Sequence, residues 1–524
     1  MLSRTPRRFS IEHLWALVTL AGIFVFTSTH PIRPHDFWWH ARGGAEIVAT
    51  GQIPSTDSFS FTAAGRPYIY RVYWLAEVAL YLLYAAGGPA AVVFAHSLIV
   101  TAAYSLLLLV CRRLAHSWRT AAFCTLFAAA LGFNDWNVRP QTISFLLGTL
   151  CLWAMYSQRA TTGGRPYVLV FPLCMLIWVN SHGSFPIGLG LAGLWLLDSA
   201  WQALKTRQAS GSAEPKRGVA QSRDTRPHTD MHLLAPSAAV GLSALACLAN
   251  PQGPASLLYL SSMSSNPVVQ NLVPEWASPT FDSLNGSLFL AGLLLSATAL
   301  ALSPRRPTLL QWASFLSFAA LGLNTLRGSV WFGIVMAPIL ADHLPALAEQ
   351  VRQIFHLSPS SKPDSTPPAL QLALNTLLAT LVLAGVVVCL PCFKHVLPLP
   401  PDKAGLISSE TPVEATRFLL QNCPPRQVFH DQAFGSYLIW AAQPDYPVFV
   451  DPRIDLYPAQ VWLDYIHIAG AGCDWEGLLE RYRVNTLMLS LEGQAALVEA
   501  ASQSPDWQVV YQDTQAIILV RATP

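Results

Sequence analysis

Apolar runs separated by short polar breaks repeat along the first three quarters of the chain. They fall near residues 14–26, 89–111, 120–133, 141–157, 167–180, 186–204, 233–249, 287–303, 308–323, 330–347 and 369–390. Long runs with few internal charges are what a helix needs to cross a bilayer core, at about 20 residues per crossing. The shorter runs need flanking residues to span. Leu14–Phe26 follows Arg4, Arg7 and Arg8 and has no A-x-A site after it, which predicts an uncleaved first helix. From about residue 402 the pattern changes. Short β-branched or aromatic runs bounded by Pro, Gly and Asp predict strands at Gln427–His430, Pro447–Val450, Thr486–Ser490, Gln508–Tyr511 and Ala516–Val520. Pro412–Asn422 and Trp475–Tyr482 have helical spacing. The expected fold is an all-α polytopic membrane bundle of about eleven transmembrane helices over residues 1–390, with a first outer loop at 30–88, followed by an extracytoplasmic α/β domain over residues 391–524.

Composition agrees with a membrane bundle and excludes an ordinary soluble enzyme: 12% of residues are charged and 52% hydrophobic, and the mean hydropathy is +0.37. The net charge of +2 hides an asymmetry, because residues 402–524 carry 7 Lys+Arg against 15 Asp+Glu. Nucleic acid is therefore not an expected partner, since its phosphates need a dense basic face. Charge also orients the chain. Trp74–Ala86 is apolar but only 13 residues long and contains Glu77, a length that suits an interfacial helix. If it does not cross, 18 of the 25 basic residues before position 402 share a side with the N-terminus; if it crosses, 15 of those 18 move outside, against the positive-inside tendency. The prediction is a multi-pass plasma (inner) membrane protein with a cytoplasmic N-terminus and the C-terminal domain outside. Residues 206–230 and 357–368 read as linkers. Five of nine cysteines lie in apolar spans, and the Cys389/Cys392 pair lacks the βαβ setting of a redox motif. Cys423 and Cys473 are able to pair only if the tail is in an oxidising compartment.

With this topology the unusual polar residues fall on one side. His35 and Asp36, Asp57, Glu77, Asp135 with Arg139, His182, Glu275 and Arg327 sit in outer loops or at outer span ends. Any one of them reads equally well as a solvated loop charge. Ionisable groups gathered beside lipid are costly, however, and mark a candidate site. The first outer loop interleaves acids with Trp38, Trp39, Tyr68, Tyr70, Tyr73 and Trp74. A belt of interfacial aromatics accounts for the rings alone; chemistry on a lipid-borne substrate needs the acids beside them.

These features resemble the GT-C superfamily of integral membrane glycosyltransferases, which includes protein O-mannosyltransferases and aminoarabinose transferases. The resemblance covers residues 11 to about 350. It rests on a first span followed by a long outer loop opening on an acid (Asp36 in HDFWWH), on a motif entering the next helical segment (YWLAEVALYLLY), and on NDWNVRPQ at a span end. The chain has WLAEV where many mannosyltransferases have an HPPL-type entry motif. The resemblance implies inverting transfer of a sugar from a polyprenyl-phosphate donor to an acceptor at the outer face. Asp36 and Glu77 are then the catalytic candidates, with Asp36 as the base that takes the acceptor's proton. Arg139 and Arg327 are candidates to stabilise the departing phosphate, and His35, Asp135, His182 and Glu275 are further substrate-binding candidates. No cofactor is implied with certainty. A divalent metal, held by dispersed carboxylates such as Glu275 and Asp36, stays open. Two other classes compete: a transporter or flippase of lipid-linked saccharides, which places ionisable groups near the midplane, and a non-catalytic cell-envelope scaffold, which predicts Asp36 and Arg139 pointing away from any common cavity.

Overall fold

A computed structural model describes residues 10–159, 167–211, 226–257, 274–356 and 367–522. The linkers expected at 206–230 and 357–368 fall mostly outside them. Twelve helices precede the C-terminal domain among the described residues: α1 Ile11–Thr29, α2 Asp36–Thr50, α3 Trp74–Ala115, α4 Trp118–Gly132, α5 Gln141–Arg159, α6 Val170–Trp178, α7 Pro186–Gly211, α8 Arg226–Cys247, α9 Leu284–Leu302, α10 Leu309–Asn324, α11 Gly328–Ile354 and α12 Pro368–Val388. Each apolar run of the sequence is thus at least partly helix. Among the described residues six helical stretches are long and apolar enough to cross a membrane: Ile11–Thr29, Arg71–Ala115, Pro186–Gln208, Leu284–Leu302, Gly328–Ile354 and Ala369–Val388. Three more apolar helices are shorter, and α4 and α5 belong to neither group. The expectation of eleven crossings therefore exceeds what length and hydropathy establish. What is established is an integral membrane bundle.

Helix α11 lies at its centre, packed on α3, α4, α9 and α10, whereas α12 lies at the edge against α1, with none of its hydrophobic window fully buried. Helix α3 joins the ambiguous Trp74–Ala86 stretch to the following span through a break at Gly87 and Gly88. Gly88 has φ +60°, a conformation only glycine adopts without strain. The stretch before the break packs against α2, and there Gly44 is required: a Cβ on it would stand 2.0 Å from the carbonyl oxygen of Glu77.

The C-terminal domain contains a four-stranded sheet ordered β1-β2-β4-β3, with β1 Val428–His430, β2 Thr486–Ser490, β3 Trp507–Gln512 and β4 Ala516–Arg521. Strands β1 and β2 are parallel, and β4 pairs antiparallel with β2 and β3. Helices α13 Val413–Asn422, α14 Gln432–Ala442, α15 Ala459–Ala469, α16 Trp475–Arg481 and α17 Ala495–Gln503 surround it. The expected strand at Pro447–Val450 is absent; Val448 instead makes an isolated bridge to Ser60 of the first loop. That bridge belongs to a shared core. Trp39, Phe59, Ala63 and Tyr68 pack among Val428, Phe434, Val450 and Leu487, so the first loop is part of the C-terminal domain's hydrophobic interior. All nine cysteines are free, including Cys423 and Cys473.

Candidate functional site

Four segments distant in sequence meet at the end of the bundle that carries the C-terminal domain. Asp36 opens α2, and Asp135 and Arg139 flank the turn between α4 and α5. Glu275 sits in a short 3-10 turn, Pro274–Trp276, and Arg327 caps the start of α11. The turn is tied to that cap by two backbone hydrogen bonds, Arg327 N–H to the Glu275 carbonyl (3.2 Å) and Leu326 N–H to the Ala277 carbonyl (3.0 Å). The Arg327 guanidinium also covers the Trp276 ring at 5.7 Å.

Arg139 is the centre of the cluster and is 7% exposed. Its Nη1 donates to both Glu275 oxygens at 3.1 Å and lies 3.6 Å from Asp36 Oδ2, while Nη2 donates to Asp135 Oδ1 at 3.0 Å. Arg327 donates to Glu275 through Nε and Nη2. One carboxylate therefore joins two guanidiniums. Three acids face two bases in a poorly solvated space, so their charges do not balance unless one acid holds a proton. Asp135, the most buried, is the one poised to do so: desolvation outweighs the Arg139 charge and pushes its carboxyl up to about 7. At Glu275 burial acts the same way, but the charges of Arg139 and Arg327 overcome it and hold the carboxyl well below the usual range. Arg139 is desolvated too, yet Glu275, Asp135 and Asp36 keep it charged. The carboxylates converge on the guanidinium rather than on one another, and among the described residues no three His, Cys, Asp or Glu are grouped to hold a metal ion.

His182 stands beside this cluster. Its Nδ1 accepts the Ser184 backbone N–H at 3.1 Å, which puts the proton of the neutral ring on Nε2. Burial, with the charges of Arg327 and Arg139, holds its pKa well below the usual histidine value, so the ring is neutral. Tyr73 links it to the next group, with ring centroids 5.6 Å from His182 and 5.1 Å from His40. Glu77 is not in the ion cluster. It is buried against His40 Nδ1 (3.0 Å) and accepts from the Tyr68 hydroxyl at 3.2 Å. His35 lies on the exposed side of the start of α2, where its charge bears on Asp431 of the C-terminal domain. Asp57 is likewise elsewhere, paired with Arg453 at 2.6 Å.

The structure thus brings together Asp36, Asp135, Arg139, Glu275 and Arg327, sets His182 adjacent, holds Glu77 one layer behind through His40, and leaves His35 apart. His40 was missed by the sequence reading, although it follows Asp36 by four residues on one helix and so shares its face. At the opposite end of the bundle Asp198 pairs with Arg159 and Asp342 with Arg305, both at 2.6 Å.

The fold is thus a helical membrane bundle whose first loop merges into a C-terminal α/β domain. Among solved structures, the oligosaccharyltransferase AglB of Archaeoglobus fulgidus in complex with an inhibitory peptide and a dolichol-phosphate is similar over 97% of this chain and 74% of its own, with a TM-score of 0.54 and 12% identity. Its apo form gives the same values. At that identity the likeness is one of fold. ArnT of Cupriavidus metallidurans bound to undecaprenyl phosphate is similar over 97% of both chains, with a TM-score of 0.48 and 14% identity. No protein-family model and no curated protein matches the chain.

Proposed function

We propose that the chain is a membrane glycosyltransferase that moves a sugar from a polyprenyl-phosphate donor to an acceptor at the outer face of the plasma membrane, with inversion at the anomeric carbon. The observation that carries this reading is the single cluster joining Asp36 to Arg139 and, through Glu275, to Arg327. The fold shared with AglB, whose structure contains a dolichol-phosphate, supports the donor class. In the transfer the acceptor oxygen attacks the anomeric carbon as the bond from that carbon to the phosphate oxygen breaks. Asp36 takes the acceptor's proton; at 28% exposed it is accessible and otherwise touches only Arg139 among the described ion pairs. The leaving phosphate gains charge and is received by the two guanidiniums, which Glu275 already holds side by side. Asp135 keeps Arg139 aimed, and His182 presents Nε2–H to the donor. The N-terminus is cytoplasmic and the C-terminal domain extracytoplasmic, so a reporter fused after Pro524 should be active outside; cytosolic activity would place the cluster on the wrong side. The purified chain in nanodiscs, given a panel of polyprenyl-phosphate sugars, should release polyprenyl phosphate and form glycosylated product with at least one. A chain that binds such donors and moves them across the bilayer without breaking the sugar–phosphate bond would overturn the reading in favour of a flippase.

A further inference from the structure

The helix that carries Asp36 packs not only on α3 but also on α14 of the C-terminal domain. Arg453, fully buried, donates Nη1 to Asp57 of the first loop (2.6 Å) and Nη2 to Asp451 (2.7 Å), and Asp451 also receives the Tyr457 hydroxyl. The same guanidinium covers two first-loop rings, Phe59 at 5.1 Å and Trp39 at 5.8 Å. Trp39 lies in the first turn of α2, and its backbone N–H donates to the hydroxyl of Ser436 on α14 at 3.2 Å. Gly435 lets α14 lie close to the segment that carries Asp451: a Cβ there would stand 2.4 Å from the Val450 carbonyl oxygen. On its other side the turn is fixed by Trp38, whose ring packs at 5.0 Å from Tyr437 and 6.2 Å from Trp440, both on α14.

We propose that Arg453 is a positioning residue for Asp36: acting through Trp39 and Asp57, it sets the roll and depth of α2 so that the Asp36 carboxylate meets Arg139. The C-terminal domain would then be a structural part of the site. This inference rests on the proposed transfer reaction for its kinetic consequence, but not for its structural one. Arg453→Lys keeps the charge and loses the planar fork that reaches two carboxylates at once. Asp57→Asn is a milder second variant that leaves the Arg453–Asp451 pair intact.

The test is hydrogen–deuterium exchange on the full-length chain in nanodiscs, together with steady-state kinetics. In either variant the amides of residues 38–47 should exchange at least about 10-fold faster, while those of α5 and the β1–β2 pair keep wild-type rates. kcat should fall by up to about 10²-fold with the donor KM unchanged, the size of loss a misplacement of order 1 Å brings. Unchanged exchange in α2, exchange raised uniformly over the chain in both variants, or faster exchange in α2 with wild-type kcat would each overturn the proposal. If the wild-type chain transfers no sugar from any donor, the transfer reading fails by itself, and the exchange pattern alone decides whether Arg453 holds α2.

Discussion

Arg139→Gln is the sharpest perturbation of the cluster, because it removes the one cation shared by Asp36, Asp135 and Glu275. Glu275 keeps Arg327. Asp135 loses its guanidinium partner at 3.0 Å, and at 6% side-chain exposure water does not replace it. Removing one partner of a buried ion pair typically costs about 3–5 kcal/mol. Here Asp135 has an escape: its carboxyl already titrates at about 7, so taking up a proton near neutral pH is cheap. The expected loss therefore falls below that range, to about 2–3 kcal/mol, with Asp135 neutral in the variant. Asp135→Asn alone should cost about 1 kcal/mol, since Arg139 keeps Glu275 and Asp36. In the double variant the asparagine has no orphaned charge to relieve and no guanidinium to lose, so the two effects should fall short of their sum by about 1 kcal/mol or more. Equilibrium unfolding in detergent, followed by tryptophan fluorescence, measures all four corners of this cycle. Additivity within about 0.5 kcal/mol would show that the two side chains do not interact and would refute the cluster as drawn.

The pH dependence of stability has a definite sign at the same acid. The folded chain holds the Asp135 proton up to about 7, against an ordinary value of 3.8. Between those values folding takes up a proton, so this group's contribution to stability falls as pH rises through them. Asp135→Asn should remove that slope, so that the variant gains on wild type between pH 4 and 7 in thermal melts; parallel pH profiles would contradict the assignment. Gly44→Ala should prevent α2 from seating on α3, because its Cβ would overlap the Glu77 carbonyl, and should lower the melting temperature by several degrees. Gly22→Ala on α1, where a Cβ meets nothing within 4 Å, is the matched control and should melt like wild type.

What the sequence revealed and what it hid divide along physical lines. Span positions follow from one-dimensional hydropathy, so every apolar run became helix at least in part. The number of crossings did not follow, because runs such as those forming α4 and α6 are short and polar residues flank them. In the C-terminal domain β1, β2, β3 and β4 were visible in their β-branched runs. Helices α14 and α15 were not, since FGSYLIW and VWLDYIHI carry aromatic and β-branched residues that suit a strand equally and are helical only through the packing they meet. Arg453 and Asp451 lie together in FVDPRIDLY, but their partner Asp57 is nearly 400 residues away, and no local pattern signals such a pair. The same holds at the site. Asp36, Arg139 and Arg327 were visible as charges at span ends, whereas Glu275 as the carboxylate joining both guanidiniums, and His40 as the partner that holds Glu77, are products of tertiary contact.

The central claim is that Asp36 serves as the base in sugar transfer from a lipid phosphate, and Asp36→Asn tests it most directly, since the amide keeps the shape of the side chain and loses its basicity. Transfer from the best polyprenyl-phosphate sugar of the panel should be measured for both proteins, with donor binding measured in parallel by titration. Turnover should fall by about 10²- to 10⁴-fold while donor affinity stays close to wild type. Wild-type turnover in the asparagine variant would contradict the account.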